Sequence, residues 1–67
     1  MNTIQVNGDP LAWKDGMTVR DVLILKRFTF PMLVVTVNDD FIDRKHYDTT
    51  NIPKGAHVKV VHLMSGG

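Results

Sequence analysis

The first residues alternate. Asn2-Thr3-Ile4-Gln5-Val6-Asn7 switches between polar and apolar side chains with a period of two, the signature of a strand buried on one face, and it predicts Ile4 and Val6 in the core. Asn7-Gly8-Asp9-Pro10 has the chemistry of a tight turn, with Asn-Gly the strongest short hairpin signal, so Leu11 to Lys14 is expected as the second arm. Pro10 suits the start of an edge strand, where no ladder donor is lost, and Asp15-Gly16 closes the arm.

The period then lengthens. Met17-Thr18-Val19-Arg20-Asp21-Val22-Leu23 writes a helix start in three ways. Thr18 is placed to cap, Asp21 to complete a variant capping box, and Met17 to staple onto Val22. Val19, Val22 and Leu23 share one face while Arg20 and Asp21 face water. Lys26 falls on the apolar stripe, a local conflict met by packing its stem and carrying the ammonium to the rim. Lys26-Arg27 complement the last turn of the helix, and Pro31 limits its length. Met32 to Val37 is short and β-branched, hence a central strand with Val35 and Val37 inward. Asn38-Asp39-Asp40 turns the chain into a brief strand, Phe41-Ile42-Asp43, and Arg44 to Asp48 reads as irregular or as one helical turn. After the Thr49 to Gly55 loop, Ala56 to His62 is the last strand, with Val58 and Val60 inward.

A hairpin, one helix and then more strands can bury their apolar faces only if the helix packs across one face of a mixed sheet. The right-handed crossover rule then allows the last strand to lie parallel beside the first, in the middle of the sheet. The expected class is α+β, a ubiquitin-like β-grasp of four to five strands whose second face carries no helix.

Composition narrows the function classes. A chain of 67 residues with 43% hydrophobic and 22% charged residues is one small globular domain. It contains no cysteine, which removes disulfides, thiol catalysis and zinc knuckles. A net charge of +1 offers no basic stripe for phosphates, so nucleic acid is not expected as a partner. The longest apolar run is too short to cross a bilayer and the N-terminus lacks signal-peptide character, which makes a cytoplasmic location the default expectation.

The remaining candidate chemistry lies in Met64-Ser65-Gly66-Gly67, directly after the β-forming run. The reading divides the chain into a domain over residues 1–63 and a flexible tail over residues 64–67. Two terminal glycines can thread a slot too narrow for a side chain, which matters only if the Gly67 carboxylate must be delivered somewhere. On their own they read as an ordinary chain end. No catalytic or metal constellation accompanies them. His46, His57 and His62 lack the spacing of a helical zinc site, and His57 and His62 point to opposite faces of one strand. Ser65 has no base fixed beside it, and Asp39-Asp40 is the composition of a solvated turn.

The whole chain nevertheless resembles one family. Val6-Asn7-Gly8-Asp9-Pro10, Gly16-Met17-Thr18-Val19 with Val22-Leu23, Val37-Asn38, Ile42-Asp43-Arg44 with Tyr47, Lys54-Gly55 and Gly66-Gly67 occur in an order and spacing similar to the small ThiS-like sulfur carriers of thiamine biosynthesis. Three departures from that pattern stand out: Lys26 in place of an apolar residue, Asp43 where proline is common, and Met64-Ser65 in the tail. The resemblance implies that the chain is no enzyme and binds no cofactor itself. An E1-like adenylating enzyme (ThiF-like) would use ATP and magnesium to adenylate Gly67, and a sulfur donor protein or sulfide would leave a thiocarboxylate. A thiazole synthase (ThiG-like) would then accept the sulfur. Molybdopterin synthase small subunits, ubiquitin-like modifiers and plain interaction modules are the alternatives. The partner surface is expected on the open sheet face, at Lys59, Val61 and Leu63, running into the tail Met64, Ser65 and Gly66. A charged helix side around Arg20 and Arg27 is the competing location.

Overall fold

A computed structural model describes residues 2–28 and 32–63. Its elements are β1 (Thr3–Val6), β2 (Asp9–Ala12), α1 (Val19–Leu25), β3 (Leu33–Val37), β4 (Asp40–Ile42), a single 3-10 turn (Arg44–His46) and β5 (His57–His62). The five strands form one mixed sheet in the order β2-β1-β5-β3-β4. The last strand is central, parallel to β1 and antiparallel to β3. This is the ubiquitin-like β-grasp expected from the order of elements.

Both hairpins close on two-residue loops. Val6 faces Asp9 across Asn7-Gly8, and Val37 faces Asp40 across Asn38-Asp39. All four loop residues have positive φ, between 50° and 87°, the backbone that matches the twist of the flanking strands. The second arm therefore begins at Asp9, two residues before the expected Leu11, and Pro10 lies within it. The cost is small. Pairs alternate along an antiparallel ladder, and the bonded pairs are Val6 with Asp9 and Ile4 with Leu11. Gln5 and Pro10 thus face each other at a position where no ladder hydrogen bond forms, on the outer edge of the sheet.

The helix start is built as its sequence predicts. Thr18 Oγ1 accepts from the Asp21 amide at 3.3 Å, and the Asp21 carboxylate accepts from the Thr18 amide at 3.0 Å. A helix also leaves its first amides without internal partners. The loop before β5 supplies them, with the Thr50 carbonyl accepting from Val19 and the Tyr47 carbonyl from Arg20. That loop joins the core as well, since Tyr47, Ile52 and Ala56 are buried beside Met17, Val19, Val22 and Leu23. No period marks Tyr47 and Ile52 in sequence, which is why the predicted core omitted them, whereas Ala56 lies in phase with Val58 and Val60.

The helix stops earlier than expected. Leu25 is its last residue and Lys26 its C-cap, so neither Lys26 nor Arg27 sits in the final turn. The Phe28 amide bonds back to Leu23 at 2.8 Å and the Arg27 amide to Ile24 at 3.1 Å, the two bonds of a Schellman cap. Phe28 packs on the core that holds Leu23. Pro31 lies outside the described residues and is not needed to end the helix. Lys26 resolves its conflict across the fold, with its ammonium 4.0 Å from the Asp9 carboxylate and its stem largely covered. Arg27 occupies the left-handed position of the cap at φ 58°, where glycine is the usual residue. Arg27→Gly is therefore expected to stabilise the fold by about 1 kcal/mol in denaturant melts. An unchanged or lower midpoint would show that Arg27 makes a compensating contact.

Candidate functional site

Alternation along β5 sorts its side chains. Val58 and Val60 are buried under α1, while His57, Lys59 and Val61 project from the opposite face, with Leu63 next in phase. Register extends this row across the sheet. Lys59 pairs with Thr36, which pairs with Phe41, and Val61 pairs with Val34. The Leu63 amide donates to the Met32 carbonyl at 3.0 Å, which keeps the exit of β5 alongside the start of β3. Among the described residues the outcome is an exposed strip of Phe41, Val61, Met32 and Leu63, with the half-buried Val34 between them. Phe41 is 65% exposed and Met32 51%, with Val61 and Leu63 each at 44%.

The structure thus brings together the three expected partner residues, Lys59, Val61 and Leu63. Phe41 and Met32 were missed, although their strand parity relative to Thr36 and Val34 could have placed them on the same face. The other end of this face is polar. A cavity of about 150 Å³ lies there between Gln5, Asn7, Thr36, Asp39, His57 and Lys59. Met64, Ser65, Gly66 and Gly67 lie outside the described residues.

The helix side has its own exposed apolar pair, Ile24 and Leu25, beside a groove of about 260 Å³ lined also by Lys14, Met17 and Asp21. Arg20, expected to be solvated there, has a side chain that is 43% exposed but engaged by neighbours within the chain. Its Nε donates to the Asp48 carboxylate at 2.9 Å, and its guanidinium lies 5.6 Å from the centre of the Tyr47 ring. Among the described residues, no group of three or more histidine, aspartate or glutamate side chains is placed to hold a metal ion. No helix among them is long and apolar enough to cross a membrane.

The model of the ThiS family matches residues 4–67 of this sequence. The chain belongs to the ThiS family. A crystal structure of a thiamine biosynthesis protein (ThiS) from Geobacter metallireducens is similar to it at 28% identity. That comparison covers 100% of both chains with a TM-score of 0.74. A solution structure of a thiamine biosynthesis protein from the same organism has a TM-score of 0.65 at 25% identity, over 100% of this chain and 88% of that one. A comparison with curated proteins found no match. ThiS membership agrees with the β-grasp topology and with a small carrier protein.

Tyr47 tests the structural role of the Arg20 cluster. Burial raises its phenol above the ordinary value, with Arg44 and Arg20 pulling the other way. A folded-state value above the unfolded one gives stability that is complete below the unfolded value, near pH 10, and is lost as pH rises through the folded value. Wild type should therefore lose melting temperature more steeply than Tyr47→Phe as pH is taken past about 10. Parallel slopes would show that the phenol titrates freely.

Proposed function

We propose that this ThiS-family protein carries sulfur on the carboxylate of Gly67 and donates it for thiazole formation in thiamine biosynthesis. The observation that carries the reading is the family match, which runs through the two glycines to residue 67. A carboxylate is a poor electrophile at neutral pH. Attack of its oxygen on the α-phosphorus of ATP, with magnesium on the phosphates, expels pyrophosphate and leaves an acyl-adenylate. A sulfur nucleophile then adds to the Gly67 carbonyl carbon and expels AMP, splitting one difficult substitution into two easier ones. With no cysteine in the chain, the sulfur comes from a donor protein or from sulfide. In this scheme the ATP and magnesium belong to a ThiF-like adenylating enzyme, and a ThiG-like thiazole synthase receives the sulfur.

The open face supports the partner half of the reading. Among the described residues no element covers Phe41, Val61 and Leu63, and contiguous exposed apolar area on a small domain marks a binding surface. The strip leads into the tail, so an enzyme seated on it holds the tail's root. Both enzymes use this one face in turn, which makes their binding mutually exclusive.

Incubation of the carrier with the adenylating enzyme, ATP, magnesium and sulfide should shift its intact mass by the exchange of one oxygen for sulfur. One residue added after Gly67 should abolish the shift while leaving the melt unchanged. An extended chain that still gains sulfur without trimming would overturn the assignment of Gly67. Attachment to lysines of other proteins would instead favour a modifier.

Surface variants locate the partners. Val61→Asp should weaken both enzyme complexes roughly tenfold or more while altering stability by no more than about 0.5 kcal/mol. Val35→Ala, in the core, should cost about 1–3 kcal/mol and leave affinity nearly unchanged. Ile24→Asp is the helix-side control, and loss of binding there with none at Val61 would move the interface to the groove beside α1.

A further inference from the structure

Asn7 ties two strands together with its side chain. The parallel ladder runs from the Gln5 amide to the Ala56 carbonyl and from the Asn7 amide to the Val58 carbonyl, at 3.0 and 2.9 Å. The next donor on β5 is the Val60 amide, which in an uninterrupted ladder would meet the main-chain carbonyl of Asn7. At φ 52° the turn carries that carbonyl away. The side chain replaces it, with Oδ1 accepting from the Val60 amide at 2.8 Å while Nδ2 donates to the Val60 carbonyl at 3.1 Å. An amide fits this place because it is donor and acceptor at once.

The residue after Asn7 is Gly8, whose main-chain nitrogen has no side chain to shield it. In an unrestrained chain that nitrogen can lose its proton to solvent base and attack Asn7 Cγ. A C–N bond forms, the Cγ–Nδ2 bond breaks, and ammonia leaves with a five-membered imide behind. Water then opens the imide at either carbonyl, giving aspartate or an isoaspartate whose main chain runs through Cγ. Nothing is oxidised or reduced. In the fold the attack is blocked, because the Asn7 amide is directed across to Val60 and held at both its atoms.

We propose that Asn7 is a latent self-modification site which the β1–β5 clamp keeps shut, and whose modification is a one-way mark of strand opening. Either product defeats reclosure. Aspartate sets a carboxylate oxygen against the Val60 carbonyl in place of a donor. Isoaspartate adds a backbone atom to a loop that has room for two residues and disturbs the Val6–Asp9 register. Asn38 supplies an internal comparison. Its Oδ1 likewise accepts from β5, from the His57 amide at 2.9 Å, but Asp39 follows it, so its cyclisation is hindered even in an open chain.

The full chain should be held at one mildly alkaline pH, native and in unfolding urea, and followed by intact mass and by peptide mapping that separates asparagine, aspartate and isoaspartate. In urea Asn7 is expected to convert before Asn2, Asn38 and Asn51, and in the native protein roughly tenfold or more slowly. Equal rates at Asn7 in the two conditions would overturn the clamp. Conversion in urea that begins at another asparagine would overturn the site. Asn7→Asp, made directly, should melt well below wild type or fail to fold, and a wild-type melt would overturn the one-way character.

Discussion

Everything in this fold is fastened to β5. It is the last strand in sequence and the middle one in space, so β1 and β3 reach the same sheet only by pairing with it on either side. Two asparagine side chains extend that grip at the points where the hairpins turn away, Asn38 at His57 and Asn7 at Val60. The Asn7 bond spans 53 residues of sequence. Closing such a loop costs chain entropy before any contact repays it, whereas each hairpin is a local structure set by its own two-residue turn. The pairing of β5 with both hairpins is therefore what fixes the topology of the sheet.

The same constraint divides the two sides of the sheet. One helix of seven residues covers one face, and the loop from Tyr47 to Ile52 covers the helix start while supplying its missing acceptors. Among the described residues, nothing covers the other face. Its outward residues on β5, His57, Lys59 and Val61, lie outside the helix-side core, so on the proposed reading core substitutions and face substitutions should act on different properties. That separation explains how Phe41 and Val61 remain exposed on a protein with so small a core.

Much of this was legible because short-range rules agreed with one another. Alternation placed Ile4, Val6, Val35, Val37, Val58 and Val60, and the capping box at Thr18 and Asp21 was readable three residues apart. Lys59 and Val61 followed from parity alone. What escaped depends on contacts distant in sequence or on backbone conformations that the residue type disguises. Arg27 in a left-handed cap gives no glycine signal, Lys26 answers to Asp9 on another element, and Tyr47 and Ile52 are buried in a segment with no period. The end of the candidate site, Met64 to Gly67, lies outside the described residues, and its role rests on sequence and family.

On the proposed reading, the modest size of the open strip is itself functional. A carrier loaded by one enzyme and emptied by another must leave each promptly, and affinity differences among related complexes reside mostly in dissociation rates. Specific long-lived interfaces bury about 800 Å² per partner around well-packed anchors. A strip of five apolar side chains flanked by Thr36 and Lys59 offers fewer anchors than that, which favours short residence. Specificity then has to come from adding a second requirement, the passage of Gly66 and Gly67 into an active site that excludes side chains. Each contact can be weak because both must be met at once, and the root of the tail is fixed to the strip by the Leu63–Met32 hydrogen bond.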